Sequence, residues 1–477
     1  MKVGSGATPR GGASVYLDDG EVCLIRSQNV YNDGFKPEGL VYITEESASK
    51  LKNVIVESND ILLNITGDSV ARVCLAHDSY LPARVNQHVA IIRPEPTSFD
   101  ARYLRYLFVS PTMQRFLLTI AAVGATRNAL TKGMIETLGV PKPPLELQRA
   151  IADKLDSLDN KIELNRQINQ TLEQITQAIF KSWFVDFEPT RAKIIAKEQG
   201  ADPATQELAA QAIICGAITL EQLAELEQNL EATLQQAIDE KLSQGNQTPI
   251  KAEQLKATAA LFPNELVESE LGEIPEGWGV KALDEIAHYQ NGLALQRFRP
   301  EDGEDSLPVL KIAQLRRGFA DGKERASVNI RPECIVDNGD VIFSWSGSLI
   351  VDIWCGGKVA LNQHLFKVTS QEYPKWFYYY WTKHHLEVFQ RIAADKAVTM
   401  GHIKRGHLSQ AKCLIPSSEL LQEVLIKGIL DKKILLRLES FSLEEVRDTL
   451  LPKLLSGELA VTDNSAPVIK NEETLDV

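Results

Sequence analysis

Two stretches of helical periodicity stand out along a chain otherwise built from short β-type runs. Ile151, Leu155, Leu158 and Ile162 recur at 4-3-4 spacing, and Ile168, Leu172, Ile175 and Ile179 repeat the pattern. The two series fall out of step where Asn165 and Asn169 lie near the apolar seam, which predicts a local change of packing there. Far downstream Leu425, Ile429, Leu436, Leu443, Val446 and Leu450 form a comparable stripe, expected to end before Pro452. A helix over 146–185 would be about 60 Å long at ~1.5 Å per residue. Most of the stability of such a helix must come from a packed face, so the two stripes are expected to pair as long antiparallel helices.

The β-type runs occur in two sets. Residues 22–26, 60–65 and 88–93 alternate with glycine-rich turns, and so do 309–312 and 340–345. A helix is expected after each set, over 101–109 and over 376–393. The sets are related by repetition. Asn59-Asp60-Ile61-Leu62 running into Thr66-Gly67-Asp68-Ser69 is echoed by Gly339-Asp340-Val341-Ile342 running into Ser346-Gly347-Ser348. Val85-Asn86-Gln87-His88-Val89 returns as Leu361-Asn362-Gln363-His364-Leu365, Thr131-Lys132-Gly133 as Lys404-Arg405-Gly406, and Val140-Pro141 as Ile415-Pro416. Matches in the same order at nearly constant offset indicate an internal duplication. The fold class that follows is mixed α/β (α+β): two tandem globular domains, separated and joined by two long antiparallel helices. Boundaries are expected at 1–144 (first domain), 145–187 (central helical spacer), 188–265 (acidic helical insertion), 266–415 (second domain), 416–457 (C-terminal spacer helix) and 458–477 (disordered tail).

Composition narrows the class. Hydrophobic content of 44% and charged content of 24% in 477 residues exclude a disordered or collagen-like chain and call for more than one core. No apolar run approaches the roughly eighteen residues of a spanning helix, and the opening residues lack the apolar core of a signal peptide. A cytoplasmic protein without a membrane partner is expected. Six dispersed cysteines with no C-x-x-C pair read as buried reduced thiols. The net charge of −13 argues at first against a polyanionic partner. Its distribution does not: residues 188–277 hold 16 Asp/Glu against 6 Lys/Arg, whereas 1–144 hold 14 against 15 and 278–415 hold 15 against 18. In the acidic stretch Leu220, Leu223, Leu226, Leu230, Leu234 and Ile238 sit at helical spacing, broken by Asp202-Pro203 and by Ser243-Gln244-Gly245-Asn246. A small helical hairpin fits it, with a flexible linker as the alternative.

No catalytic constellation is present. The chain has no G-x-x-x-x-G-K-[ST] loop, no H-E-x-x-H and no G-x-S-x-G. An Asn-Pro-Pro-aromatic motif for a flipped adenine is likewise missing. His384-His385 is an isolated pair and reads as surface. His88 and His364 have no nearby carboxylate pair or nucleophile, and the polar triplet containing each suits a turn fixed by side-chain-to-backbone hydrogen bonds. A self-contained methylase–nuclease is therefore disfavoured, and the basic, glycine-rich blocks disfavour a purely structural coiled-coil adaptor.

Three stretches then carry a resemblance. Val140-Pro141-Lys142-Pro143-Pro144-Leu145-Glu146-Leu147-Gln148-Arg149-Ala150-Ile151 runs into Leu158-Asp159-Asn160-Lys161-Ile162-Glu163-Leu164-Asn165. Ala178-Ile179-Phe180-Lys181-Ser182-Trp183-Phe184-Val185-Asp186-Phe187 follows, and Leu261-Phe262-Pro263 leads through Ser269-Glu270-Leu271-Gly272-Glu273-Ile274-Pro275-Glu276-Gly277-Trp278. With the duplication, these resemble the specificity subunit of a Type I restriction–modification enzyme. The resemblance implies two target-recognition domains, each reading one half of a split, asymmetric sequence in double-stranded DNA. It implies a chain without catalytic or metal-binding residues, assembled with two methyltransferase and two restriction/translocase subunits. Methyl donor, ATP and Mg would be bound by those partners, and no cofactor by this chain. Relative to the family, Gly4-Ser5-Gly6-Ala7-Thr8-Pro9 stands almost at Met1, so a truncated or misassigned start is expected, with the first strand left open. The second domain has Gln290-Asn291-Gly292-Leu293-Ala294-Leu295-Gln296 in place of the Thr-Pro element, so the two half-sites are expected to differ.

Base reading calls for Arg or Lys toward guanine, Asn or Gln toward adenine, and hydroxyls near phosphate. The candidates are Thr8, Arg10, Arg26, Gln28, Asn29, Arg72, Arg127, Asn128 and Lys132 in the first copy, and Arg297, Arg299, Gln314, Arg316, Arg317, Ser348, Lys404 and Arg405 in the second. Candidates for subunit and helix packing are Ile151, Leu155, Leu158, Ile162, Leu172, Ile175, Leu425, Ile429, Leu443 and Val446. If residues 151–179 set the spacing of the half-sites, inserting seven residues keeps the buried face and adds about 10 Å, or up to about three base pairs. Such a heptad insertion is expected to lengthen the undefined spacer with both half-sites unchanged, whereas insertions of two or five residues inactivate. Methylation mapping in cells carrying each variant checks this, and an unchanged spacer in an active heptad variant refutes it.

Overall fold

A computed structural model of the chain describes residues 2–122, 128–226, 229–243, 251–395, 401–422 and 424–460. The chain forms two units, Met1–Ile162 with Ser442–Val477, and Glu163–Phe441. The long helix Leu145–Phe184 and the C-terminal helix Val424–Ser456 each contribute to both.

The first unit is organised by two four-stranded sheets. One runs in the order Lys2–Ser5, Val89–Arg93, Ile61–Asn64, Val73–Leu75, antiparallel throughout. The other runs Val41–Ile43, Val22–Ile25, Ala83–Val85, Ile55–Val56, with a parallel pair at its centre. The strand Lys2–Ser5, left open by the sequence, is present and pairs in register from Lys2 opposite Arg93 to Ser5 opposite Ala90. Asp100 caps the helix Ala101–Val109 by accepting from the backbone N–H groups of Arg102 and Tyr103. A second helix, Pro111–Ala122, follows it directly and was not expected.

The second unit repeats this plan. Its sheets run His288–Asn291, Leu365–Thr369, Val341–Ser344, Val351–Ile353, and Arg325–Ser327, Ser306–Leu310, Val359–Leu361, Ile335–Val336, with the same senses of pairing. The repetition extends to single groups. Asp60, fully buried, accepts the backbone N–H of Glu57 and pairs with Arg93 at 2.7 Å, while Asp340 accepts from Asp337 and pairs with Lys367 at 2.7 Å. The residue before each aspartate has positive φ, and Asn59 fills that position in one copy where Gly339 fills it in the other.

Four expectations are corrected. The helix expected over 376–393 is two, Lys375–His384 and Leu386–Asp395, broken at His385. The helix expected to stop before Pro452 runs to Ser456, because Leu451 and Leu454 on either side of the proline bury against Ile151, Ala152 and Leu155. Val446 is 46% exposed and leaves the stripe; nearby the seam carries an ion pair instead, Arg447 to Asp159 at 2.8 Å. The acidic stretch is neither hairpin nor linker. It forms the helices Glu188–Glu198, Pro203–Ile214, Leu220–Ala224, Leu230–Ser243 and Ala252–Ala259, with Asp202 capping and Pro203 opening the second. Their inner faces share one core with Phe180, Trp183 and Phe184 of the long helix and with Trp278. Buried Lys193 is satisfied there by Glu207 at 2.6 Å and the carbonyl of Phe262 at 2.7 Å. Residues 244–246 and 461–477, including most of the expected tail, lie outside the described residues.

Along the paired helices Ile151, Leu155 and Ile162 are buried and Leu158 is half-buried; Leu425 and Ile429 are buried, Leu172 and Ile175 pack partly buried against the second unit's core, and Leu443 is half-buried. Asn165, fully buried, donates to Glu439 at 2.8 Å, so the step between the two apolar series is a polar contact within the seam. All six cysteines are buried free thiols.

In each repeat one glycine lies against the backbone of another strand. A Cβ on Gly6 would sit 1.7 Å from the Asn86 carbonyl oxygen, and one on Gly292 would sit 2.3 Å from that of Asn362. Gly6→Ala is therefore expected to cost about 2–3 kcal/mol or more, since main chain rather than a flexible side chain must move. Gly4→Ala, whose nearest neighbour is 3.8 Å away, is expected to be tolerated. Urea-denaturation midpoints of the two variants check the contrast.

Candidate nucleic-acid interface

The corner built around each glycine is assembled from five segments, and the two copies match segment by segment. In the first copy Gly6 donates to the Val89 carbonyl at 3.0 Å and Asn86 to that of Ile25 at 3.0 Å, each extending its own sheet, while Ala7 donates to the Val85 carbonyl at 3.1 Å and ties the two sheets together. In the second, Gly292 donates to Leu365 and Asn362 to Leu310, each at 3.1 Å. A hairpin turn with Gly67 or Gly347 at positive φ closes one side. The chain beyond it is held by Gly67 N–H to the Asn128 carbonyl and Leu130 N–H to that of Ile65, and by Gly347 to Gly401 and Ile403 to Trp345.

At the centre lies the repeated Asn-Gln-His. Asn86 accepts the backbone N–H of His88 at 3.1 Å, the turn-fixing bond anticipated for this triplet, and Asn362 does the same for His364 at 3.2 Å. The imidazole Nδ1 atoms lie 2.6 Å from the Thr66 hydroxyl and 2.9 Å from that of Ser346. The sequence did not indicate these hydroxyl contacts. The repeated hydroxyl residue just before each turn glycine was the available signal.

The first corner opens into a cleft of about 600 Å³. Gln28, Arg72 and Asn128 line it together with Tyr31, Asp68 and His88, so three of the sequence candidates converge. The Arg72 guanidinium is stacked 4.5 Å over the Tyr31 ring, which orients its planar fork while leaving the donors free. Asp68 is the acidic exception in this lining.

The remaining candidates divide by their surroundings. Asn29 is fully buried; its amide donates to the carbonyls of Lys36 and Glu38 and accepts the N–H of Arg26, so it shapes the loop rather than facing solvent. Arg26 donates to the Gly39 carbonyl, as does Gln28 at 3.1 Å, and lies 5.5 Å over the Tyr16 ring. The Thr8 hydroxyl and the Gln314 side-chain carbonyl are buried without a hydrogen-bond partner among the described residues. Arg10, Arg297, Arg299, Arg316 and Arg317 are exposed and meet no carboxylate among the described residues. Lys132 lies 3.6 Å from Glu136, Lys404 and Ser348 are exposed, and Arg405 donates to the Tyr289 carbonyl beside the Phe366 ring. Arg127 lies outside the described residues.

The histidine pair behaves differently from its surface reading. His384 is exposed, but His385 is partly buried with Nε2 at 2.9 Å from the Lys412 carbonyl, and burial holds its imidazole down at about 4, with His384 beside it adding to the shift. Among the described residues no cluster of His, Cys, Asp or Glu could hold a metal ion, and no helix is long and apolar enough to cross a membrane.

A family model described as the Type I restriction modification DNA specificity domain matches residues 2–174 and again 275–446, one match per repeat. The chain belongs to this family. The HindI specificity subunit of Haemophilus influenzae is 27% identical over 397 residues, 80% of this chain and 82% of its own length. The MjaIX specificity subunit of Methanocaldococcus jannaschii is 23% identical over 431 residues, 88% of this chain and 82% of its own. A crystal structure of the Type-I restriction-modification system S subunit from M. genitalium aligns over 95% of this chain and 93% of that one, with TM-score 0.47 and 13% identity. As a Type I specificity subunit the chain recognises DNA sequence and is not itself an enzyme; catalytic activity in these systems lies in partner subunits.

Within this specificity subunit, shape-fixing and solvent-facing candidates should separate experimentally. Asn29→Ala strands buried backbone groups and is expected to cost about 2–3 kcal/mol, while Gln28→Ala at the exposed neighbouring position should change stability by less than about 0.5 kcal/mol. Thermal unfolding of both variants measures the difference.

Proposed function

We propose that the subunit reads a bipartite, asymmetric site in double-stranded DNA, one half by each repeat, and is the platform on which two methyltransferase and two restriction/translocase subunits assemble. The observation that carries this reading is one backbone corner built twice with different side chains around it. Asp68 in the first hairpin turn corresponds to Ser348 in the second, and Asn128 corresponds to Gly401. Equal scaffolds with unequal edges are what two different half-sites require. The exposed, unpaired arginines Arg10, Arg297, Arg299, Arg316 and Arg317 suit a polyanionic partner. Methyl donor, ATP and Mg belong, in this proposal, to the partner subunits, and the assembly works in the cytoplasm.

The test is co-expression with the methyltransferase subunits, followed by mapping of methylated adenines. Replacing residues 290–405 with the corresponding segment of another specificity subunit should change one half-site and leave the other intact. Arg316→Ala and Arg317→Ala should weaken discrimination in that same half by about 1–3 kcal/mol if a bidentate base contact is lost. Equal loss in both halves overturns the assignment of one half-site to each repeat.

A further inference from the structure

The Asn-Gln-His corner is the same in both repeats although the residues around it differ. Gln87 Nε2 lies 3.2 Å from His88 Nε2, and Gln363 Nε2 lies 3.3 Å from His364 Nε2. An amide nitrogen only donates, so each imidazole Nε2 accepts. The single ring proton then sits on Nδ1 and is donated to Thr66 in one copy and Ser346 in the other. The backbone of each histidine is fixed in turn by the preceding asparagine. Three residues thereby set the orientation of one glutamine amide in each repeat.

That orientation leaves a defined edge. One amide hydrogen goes to the histidine. The second amide hydrogen and the carbonyl oxygen remain, and neither has a hydrogen-bond partner among the described residues. Gln87 is exposed and Gln363 half-buried, and His88 lines the first copy's cleft together with Gln28, Arg72 and Asn128. An edge with one donor beside one acceptor matches adenine, which presents N7 as acceptor and the N6 amino group as donor in the major groove. Guanine offers two acceptors there and does not match.

A group identical in both repeats cannot distinguish the two half-sites. It can only contact something that both contain. We infer that Gln87 and Gln363 each read an adenine, one in each half-site, with His88 and His364, backed by Thr66 and Ser346, acting as positioning residues. This rests on the proposal that each repeat reads DNA.

The experiment uses the full chain co-purified with its partner subunits. Sequences bound from a random duplex library define the two half-sites, and binding is then measured with each adenine replaced in turn by 7-deazaadenine, which lacks the N7 acceptor. The unmodified assembly is expected to lose about fivefold or more in affinity at one adenine in each half. Gln87→Ala should reduce preference for that adenine about tenfold in the first repeat's half-site only, and should no longer respond to 7-deazaadenine there. Gln363→Ala should do the same in the other half. His88→Ala should relax the same position as Gln87→Ala, and the double variant should be no worse than either. The unaffected half-site in each variant reports an intact fold. A uniform loss over all sequences, pointing to a backbone contact, overturns the inference, and so does indifference of the unmodified assembly to 7-deazaadenine at every position. If no split sequence is selected at all, the DNA-reading proposal itself fails. If one is selected but 7-deazaadenine has no effect, only the glutamine assignment falls.

Discussion

The close approach of Gly6 to Asn86, and of Gly292 to Asn362, is the constraint on which the rest of each repeat depends. The peptide that crosses there joins the end strand of one sheet to the turn leaving the other, with no room for a side chain between. Once that crossing is made, the carbonyls of Ile25 and Leu310 receive the asparagine N–H groups, and the histidines are brought under the hydroxyls of Thr66 and Ser346. The loops that face outward start from these fixed points. They can change composition without altering the frame, which is why the two copies keep one topology while sharing few residues.

The repeats and the long helix were legible because their signals are local and periodic. Apolar residues spaced for one helical face placed a helix over 146–185, and Leu145–Phe184 is found. The matching Asn-Gln-His triplets marked the same side-chain-fixed turn in both copies. What the pattern could not convey was partnership. The leucines from Leu220 to Leu234 announced helices but not that these bury against Trp183 and Phe262. Pro452 looked like a stop because its missing donor is visible in sequence, whereas the apolar contacts that carry the helix past it are not. Asn29 had the composition of a base reader, and only its three bonds to nearby backbone reveal a structural task. Of the DNA-facing candidates, the sequence supplied the residue types, and the folded corner sorted which of them converge on one cleft.

The charge distribution acquires a physical reading in the folded chain. Most of the net charge of −13 falls on helices whose inner faces join the second unit's core, and part of it is neutralised within the chain, as at Lys193–Glu207 and Lys197–Glu265. That surface repels a polyanion, whereas arginines that meet no carboxylate among the described residues, such as Arg10, Arg316 and Arg317, stand exposed on the repeats. Overall charge is thus a poor guide here, and local charge on a rigid frame is the better one.

The six buried thiols give the molecule an internal set of clocks. Cys23 and Cys74 lie in the first unit's sheets, Cys215 in the acidic helices, and Cys334, Cys355 and Cys413 in the second repeat. Burial pushes the Cys74 thiol up to about 12 and raises Cys413 as well, so neither reacts as a thiolate while its surroundings stay closed. Alkylation of each thiol therefore reports the opening of its own neighbourhood. Followed residue by residue, it can resolve whether the recognition repeats and the acidic helices loosen together or one at a time, using only the chain's own cysteines.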